Sequence, residues 1–261
     1  MHTSLLDATR KLVSGESRPG IRLWLARRRH EFAGAALQMP GGALEFAGEA
    51  NDAFEWARAL RTDYPTWVGG EHGAVSALTH ALGGTWDSPM IAEVMAATDV
   101  PPLIPVAGNF ERATVSDQMQ TTAWIRDFLE ETRQPPATSI ASAVTAMIAR
   151  EEVFFWRVGT RLVSMVAVVA RTKTALRYSL MYTSRNSRRL GYARACLSAA
   201  MRRAFDAGYA TCCVHVRAND QRARSLYANL GYHCVGFRME VIPQADHPRR
   251  STTPGRGGDS A

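Results

Sequence analysis

The sequence predicts a mixed α/β fold in which helices are followed by antiparallel strands and then by a strand-turn-helix unit. Three observations carry this reading. In "ALRYSLMYT", residues 175–183, Leu176, Tyr178, Leu180 and Tyr182 alternate with other residues as one inward strand face would. Shortly after it, Ala193, Cys196, Leu197, Ala200, Met201, Ala204 and Phe205 recur at helical spacing, with Arg194, Ser198 and Arg202 on the opposite side. Between the two lies "SRRLGYARA", residues 187–195, which is therefore a strand-to-helix turn.

The elements follow in chain order. "GIRLWLARR" and "GAALQM" are strand-like, and "NDAFEWARALRTDY" and "EHGAVSALTHAL" are helix-like, giving an N-terminal α/β segment. The proline cluster "DVPPLIPVAGN", residues 99–109, interrupts regular structure and is the expected boundary, so that 1–105 form one domain and 106–243 another. A helix then starts at the capping residues Thr114 and Ser116 and continues through Trp124, Phe128 and Leu129. A second follows Pro135 and Pro136 over residues 139–150. Three consecutive strands are expected from Val153 to Thr183, turning at Gly159 and Thr160 and again at residues 172–174. "ATCCVHVRAN" supplies another strand, "DQRARSLYANLG" a short helix closed by Gly231, and "YHCVGFRMEV" a last strand. The tail, 244–261, is expected to be disordered.

Composition narrows the function classes. Hydrophobic residues at 46% and charged residues at 21% fit a globular chain and argue against a fibrous or wholly disordered one. The longest clear apolar run, residues 163–170, is far too short for a membrane span, and the N-terminal stretch lacks the apolar centre and cleavage site of a secretory signal. A cytoplasmic protein without membrane contact is the expectation. Cys196, Cys212, Cys213 and Cys234 show neither metal-ligand spacing nor the density of a disulfide scaffold, so no metal is expected and the thiols should be reduced. The net charge of +7 is nearly all arginine, Lys11 and Lys173 being the only lysines. Such a balance suits phosphate-bearing ligands and is equally what genomic base composition can produce. The run Arg27, Arg28 and Arg29 is read as a solvated strand end in preference to a contact for an acidic partner.

The turn at 187–195 raises a sharper question. A helix N-terminus presents unpaired N–H groups and the positive end of the helix dipole, and Gly191 would allow close backbone approach. From the turn alone, a phosphate cradle and a mere tight turn stand level. The R-x-x-G-x-A pattern at Arg188, Gly191 and Ala193, followed by "SLYANLGY" from Ser225 to Tyr232, resembles the GNAT N-acetyltransferase superfamily over roughly residues 110–242. The part before Asp99 resembles, more weakly, a degenerate GNAT-like half that precedes the catalytic half in some members, and an unrelated domain stays open.

That resemblance implies a mixed, mostly antiparallel sheet flanked by helices, with acetyl-CoA as co-substrate. It implies that backbone N–H groups of Arg188, Arg189, Leu190, Gly191, Tyr192 and Ala193 hold the pyrophosphate, the two arginines adding charge. Met181, Tyr182 and Thr183 would lie where a splayed strand binds the pantetheine arm and polarises the thioester carbonyl. Tyr227 matches the family tyrosine that protonates the departing thiolate, and Asn219 the partner of a pantetheine amide. Two departures stand out. Many relatives have glycine at the position of Arg189, and the spacing from Asn219 to Tyr227 is one residue longer than usual, so Asp220 remains an alternative to Asn219.

Competing roles stand beside these. Tyr227 could simply pack between helix and sheet. His215 is read as a structural histidine before a general base, and Glu151 and Glu152 as surface residues at a helix end before partners of an amine. The implied function is an acyltransferase that moves an acetyl group from acetyl-CoA to the amine of a small molecule by direct attack. A transferase of the same fold that takes an aminoacyl group from tRNA ranks second, allowed by the positive charge, and a non-catalytic acyl-CoA-binding protein is the third reading.

Overall fold

The structure, a computed structural model, describes residues 21–28, 31–39, 41–60, 64–134 and 139–244. The tail beyond Gln244, the N-terminal stretch and Arg29 lie outside the described residues. Contacts divide the chain into two compact units: Ile91–Arg238 forms one, and residues 21–90 with 239–244 form the other. The expected boundary at 105/106 therefore moves to Met90/Ile91, for a reason given by strand pairing below.

In the N-terminal unit, β1 (Arg22–Arg28), β2 (Glu31–Gln38) and β3 (Ala43–Ala47) form an antiparallel meander. Helix α1 (Ala53–Leu60) then returns the chain to β4 (Trp67–Glu71), which lies parallel to β3, and α2 (His72–Leu82) follows. Leu44, Phe46 and Val68 from the strands bury against Trp56, Leu60, Val75 and Leu78 from the helices. The two helices match the helix-like stretches read from the sequence. The short β3 and β4 do not: glycines at 41, 42, 69 and 70 interrupt the alternation that marks a strand.

The larger unit begins with β5 (Met90–Ala97) from its second residue onward. Then come β6 (Asn109–Arg112), α3 (Gln118–Glu131), α4 (Ile140–Ala149), β7 (Val153–Val158), β8 (Arg161–Arg171), β9 (Ala175–Thr183), α5 (Tyr192–Asp206), β10 (Thr211–Arg217), α6 (Gln221–Ala228) and β11 (His233–Val241), which belongs to this unit as far as Arg238. The strand order β5-β10-β9-β8-β7-β6 is antiparallel throughout except for the parallel β9/β10 pair. The stretch "MIAEVMAA" does not announce β5, because its alanines blur the pattern. Its ladder to β10, from Cys212 opposite Ala97 to Arg217 opposite Ala92, is what draws the boundary back to Met90.

Two apolar layers cover this sheet. Leu197 and Met201 of α5, both fully buried, pack on Leu176, Tyr178, Val214 and Val216 on one face. Burial of such a side chain contributes about 1.5–3 kcal/mol. On the other face Trp124 and Ile125 of α3 and Val144 of α4 meet Phe155, Met165 and Tyr182. The single inward face expected for Leu176, Tyr178, Leu180 and Tyr182 is thus split. Leu180 has φ 53, and the β8/β9 register shifts around it, so a bulge turns Leu180 and Tyr182 toward α3 while Leu176 and Tyr178 face α5.

Helix α5 also departs from its simple amphipathic reading. Ser198 is buried and its hydroxyl donates to the Pro102 carbonyl at 2.6 Å, and Arg202 Nη1 donates to the Pro101 carbonyl at 2.9 Å. The side expected to face solvent instead anchors the connector between β5 and β6.

Candidate functional site

The ladder between β9 and β10 runs only from Thr211 opposite Ala175 to Val214 opposite Tyr178. Beyond it the two strands part, while β9 stays paired to β8 as far as Thr183 and β10 stays paired to β5 as far as Arg217. Residues 181–183 thus lie on the free arm of a splayed parallel pair, just past the bulge at Leu180. Among the described residues, backbone N–H and C=O groups on that arm's β10 side have no ladder partner, which makes the arm a surface for an extended, amide-bearing ligand.

After β9 the chain makes a single 3₁₀ turn at Arg185–Ser187 and enters α5 through two left-handed residues, Arg189 at φ 66 and Gly191 at φ 85. Gly191 is the N-cap, and the first helical bond runs from the Ala195 N–H to the Gly191 carbonyl at 3.0 Å. The N–H groups of Tyr192, Ala193 and Arg194 therefore precede the ladder and point out of the helix end, with Leu190 exposed beside them. A Cβ at Gly191 would meet Val106 Cγ1 at 3.1 Å as well as requiring the left-handed conformation. The value at Arg189 explains why a glycine suits that position too. Together the N–H groups, the helix dipole and the cation of Arg189 form a surface complementary to a phosphate-sized anion.

Arg188 is placed differently from the expectation that it adds charge to a phosphate. Its Nη2 donates to both carboxylate oxygens of Glu131 at 2.8 Å, its Nε donates to the Thr183 carbonyl at 3.0 Å, and the guanidinium lies 5.4 Å from the centre of the Tyr182 ring. The hydrogen bond with Glu131 holds it even more firmly in the charged form than a free arginine. Tyr182 itself is buried, and its hydroxyl donates to Asp127 Oδ2 at 3.0 Å. Its side chain thus faces α3, and only its backbone remains on the splayed arm.

On the α5 face, Tyr227 of α6 is buried against Tyr232, ring centres 5.7 Å apart. Burial, with a smaller push from Asp220, raises its phenol well above the usual value, so the hydroxyl stays protonated. The alternatives Asn219 and Asp220 separate clearly. Asp220 caps α6, its Oδ1 accepting from the Ala223 N–H at 3.0 Å, whereas Asn219 sits exposed in the turn after β10.

None of the candidate bases is a loose carboxylate or imidazole. Glu152 is buried, contrary to the surface role expected for it, and pairs with Arg150 Nε and Arg171 Nη2, both at 2.9 Å. Glu151 pairs with Arg112. His215 Nδ1 lies 3.2 Å from Arg177 Nη1, and because a guanidinium only donates, that nitrogen accepts. Sequence reading missed the tie between Arg188 and Glu131, since 57 residues separate them and no local signal joins the two.

The sequence model of the Acetyltransferase (GNAT) family matches residues 119–232. Among solved structures, a GCN5-related N-acetyltransferase from Kribbella flavida is 16% identical, with 94% of this chain and 96% of that one covered at a TM-score of 0.61. A GNAT-family acetyltransferase from Colwellia psychrerythraea is 11% identical, with 89% and 88% covered at 0.60. A tandem GNAT protein from the clavulanic acid biosynthesis pathway is 10% identical, with 86% and 83% covered at 0.56. No curated protein matches the sequence. With the splayed pair, the left-handed glycine and the α5 turn falling inside the matched segment, residues 119–232 form a domain of the acetyltransferase (GNAT) family.

Proposed function

We propose that the chain transfers an acetyl group from acetyl-CoA to the amine of a small molecule by direct attack, without a covalent enzyme intermediate. The observation that carries this reading is the splay of β9 from β10 directly ahead of the α5 N-terminus, a groove and an anion cradle in series. The cradle at residues 189–194 fits a pyrophosphate, and the free arm at Met181, Tyr182 and Thr183 fits an extended amide-bearing arm. Acetyl-CoA supplies the activated acyl group.

The chain's own residues then do the following. Backbone N–H groups on the β9 arm polarise the thioester carbonyl where the tetrahedral oxyanion develops. Asn219 holds a pantetheine amide. Tyr227 donates its proton to the departing thiolate, a role for which a buried phenol with a raised pKa remains loaded across neutral and alkaline pH. The acceptor arrives as the neutral amine and releases its proton to solvent, and positioning supplies much of the rate.

The N-terminal unit fits the reading of a degenerate GNAT-like half. It repeats a strand-helix-strand order with β3 and β4 parallel, but they stay paired from Ala43 opposite Trp67 to Phe46 opposite Gly70, so there is no splay. A Cβ at Gly70 would lie 2.2 Å from the Phe46 carbonyl oxygen, which shows how closely the pair is shut. Its helix ends are acidic: Glu49, Asp52 and Glu55 surround the start of α1, and Glu71 caps α2 by accepting from the Gly73 and Ala74 N–H groups. Carboxylates there repel phosphate. The likeness to a tandem GNAT protein supports this assignment.

A cytoplasmic location accompanies the proposal; the four cysteines are free thiols, and among the described residues no helix is long and apolar enough to cross a membrane. Release of free thiol from acetyl-CoA, measured across a panel of small amines with mass spectrometry of the products, tests the function. Amine-dependent release is expected, with Tyr227→Phe slower by about 10²-fold while coenzyme binding survives. Coenzyme binding without any release would favour the non-catalytic reading. Tight binding of tRNA that depends on the attached amino acid, with no response to CoA, would favour the aminoacyl-tRNA reading.

A further inference from the structure

Two strands that part company need something other than each other to fix the gap between them. Among the described residues, no ladder joins β9 to β10 beyond Tyr178 and Val214, and the strand partner of each arm lies on its outer side, β8 and β5 respectively. On the face opposite α5, the last turn of α3 reaches both arms. From the β9 side, the Tyr182 hydroxyl donates to Asp127, and Arg188 binds Glu131 through Nη2 and the Thr183 carbonyl through Nε. Arg185 Nε adds a longer contact to Glu131 at 3.5 Å. From the β10 side, Arg217 Nη2 donates to the carbonyl of Thr132, the residue that closes α3. Arg217 shares the strand face of Cys213 and His215, opposite Val214 and Val216, which places its guanidinium on the α3 side.

We propose that the last turn of α3 is a brace across the cleft, and that Glu131, Arg188 and Arg217 are positioning residues that set the separation of β9 and β10. The proposal rests on reading that cleft as the acyl-CoA site. It gives the first arginine of R-x-x-G-x-A a mechanical role, because the same residue binds the last carbonyl of the β9 arm, opens the proposed phosphate turn and grips the helix that borders the cleft. The contacts are charge-assisted and converge on one turn, so slackening either end releases the same element.

The rival account, in which Arg188 is a phosphate ligand and Glu131 an incidental partner, makes the opposite prediction for one substitution. If Arg188 is a ligand, Glu131→Gln frees a cation beside the phosphates and tightens CoA binding. As a brace, the pair loses its grip and binding weakens.

Calorimetric titration of CoA into the full chain, as wild type, Glu131→Gln, Arg217→Gln and the double variant, decides between them. Each single variant is expected to bind about fivefold to tenfold more weakly, and the double variant little more weakly than the worse single one. Hydrogen exchange gives a second readout that needs no ligand. The amides of Thr132, Arg133 and Gln134, which donate to the carbonyls of Phe128, Glu130 and Leu129, should exchange faster in both single variants. Unchanged or tighter CoA binding by Glu131→Gln, or unaltered exchange at these amides, overturns the brace. A wild type that takes up no CoA removes the proposed function instead, and the exchange rates then decide the brace by themselves.

Discussion

Tyr227 and Tyr182 show how one residue type meets different surroundings on the two faces of one sheet. Tyr182 gives its proton to Asp127 in a hydrogen bond and so is spoken for, whereas Tyr227 is surrounded by the ring of Tyr232 and the apolar core of the α5 face. Burial raises the Tyr227 phenol, so its ionisation cannot cut the rate as pH climbs toward the ordinary tyrosine value of about 10. The ratio of wild-type to Tyr227→Phe turnover should accordingly stay near 10²-fold across roughly pH 7 to 9.5. Steady-state rates at saturating acceptor check this. A ratio near one at every pH would leave Tyr227 a packing residue.

At the scale of elements, the proposed function gives the two adjacent residues ahead of α6 different roles, a structural one for Asp220 and a ligand-binding one for Asn219. Asp220→Ala removes the N-cap and should cost about 1 kcal/mol of stability with CoA affinity intact. Asn219→Ala should do the reverse, weakening CoA binding with little change in stability, and denaturant melts paired with calorimetry separate the two. The helices α3 to α6 were legible because their apolar spacing and punctuation are local: Thr114 and Ser116 ahead of α3, Gly191 ahead of α5, Gly231 after α6. β5 was not legible, since its identity as a strand rests on partners in β10 more than a hundred residues away. The bulge at Leu180 was hidden for a related reason. Alternation reads a strand as flat, and only the β8 register shows that Leu180 adopts φ 53 and turns Tyr182 toward α3. Of the candidate site, the turn into α5 could be read from motif order, while the α3 ties of Arg188 and Arg217 depend on tertiary contacts that no spacing encodes.

For the whole molecule, buried thiols and phenols predict sensitivity to alkali. Burial lifts Cys212 and Tyr64 to about 12, and raises Cys196, Tyr178 and Tyr232 as well. Unfolded thiols and phenols ionise near about 8.5 and 10 respectively, so above those values the unfolded chain loses protons that the folded chain keeps. Stability from these groups is complete below about pH 8.5 and declines as pH rises beyond it. Thermal melts from roughly pH 7 to 11 should show Tm falling steadily in the upper half of that range; a level Tm would contradict the burial pattern. The two units also differ in a way that stoichiometry can reveal, since one parallel strand pair is splayed beside a basic helix end and the other is shut beside acidic ones. Calorimetric titration of acetyl-CoA into the wild-type chain and a folded Gly191→Val variant tests the central claim most directly. The account predicts one equivalent bound per chain, with affinity reduced at least about tenfold by valine, whose Cβ both strains the left-handed backbone and crowds Val106. Absence of binding by the wild type, two equivalents per chain, or undiminished affinity in Gly191→Val would contradict it.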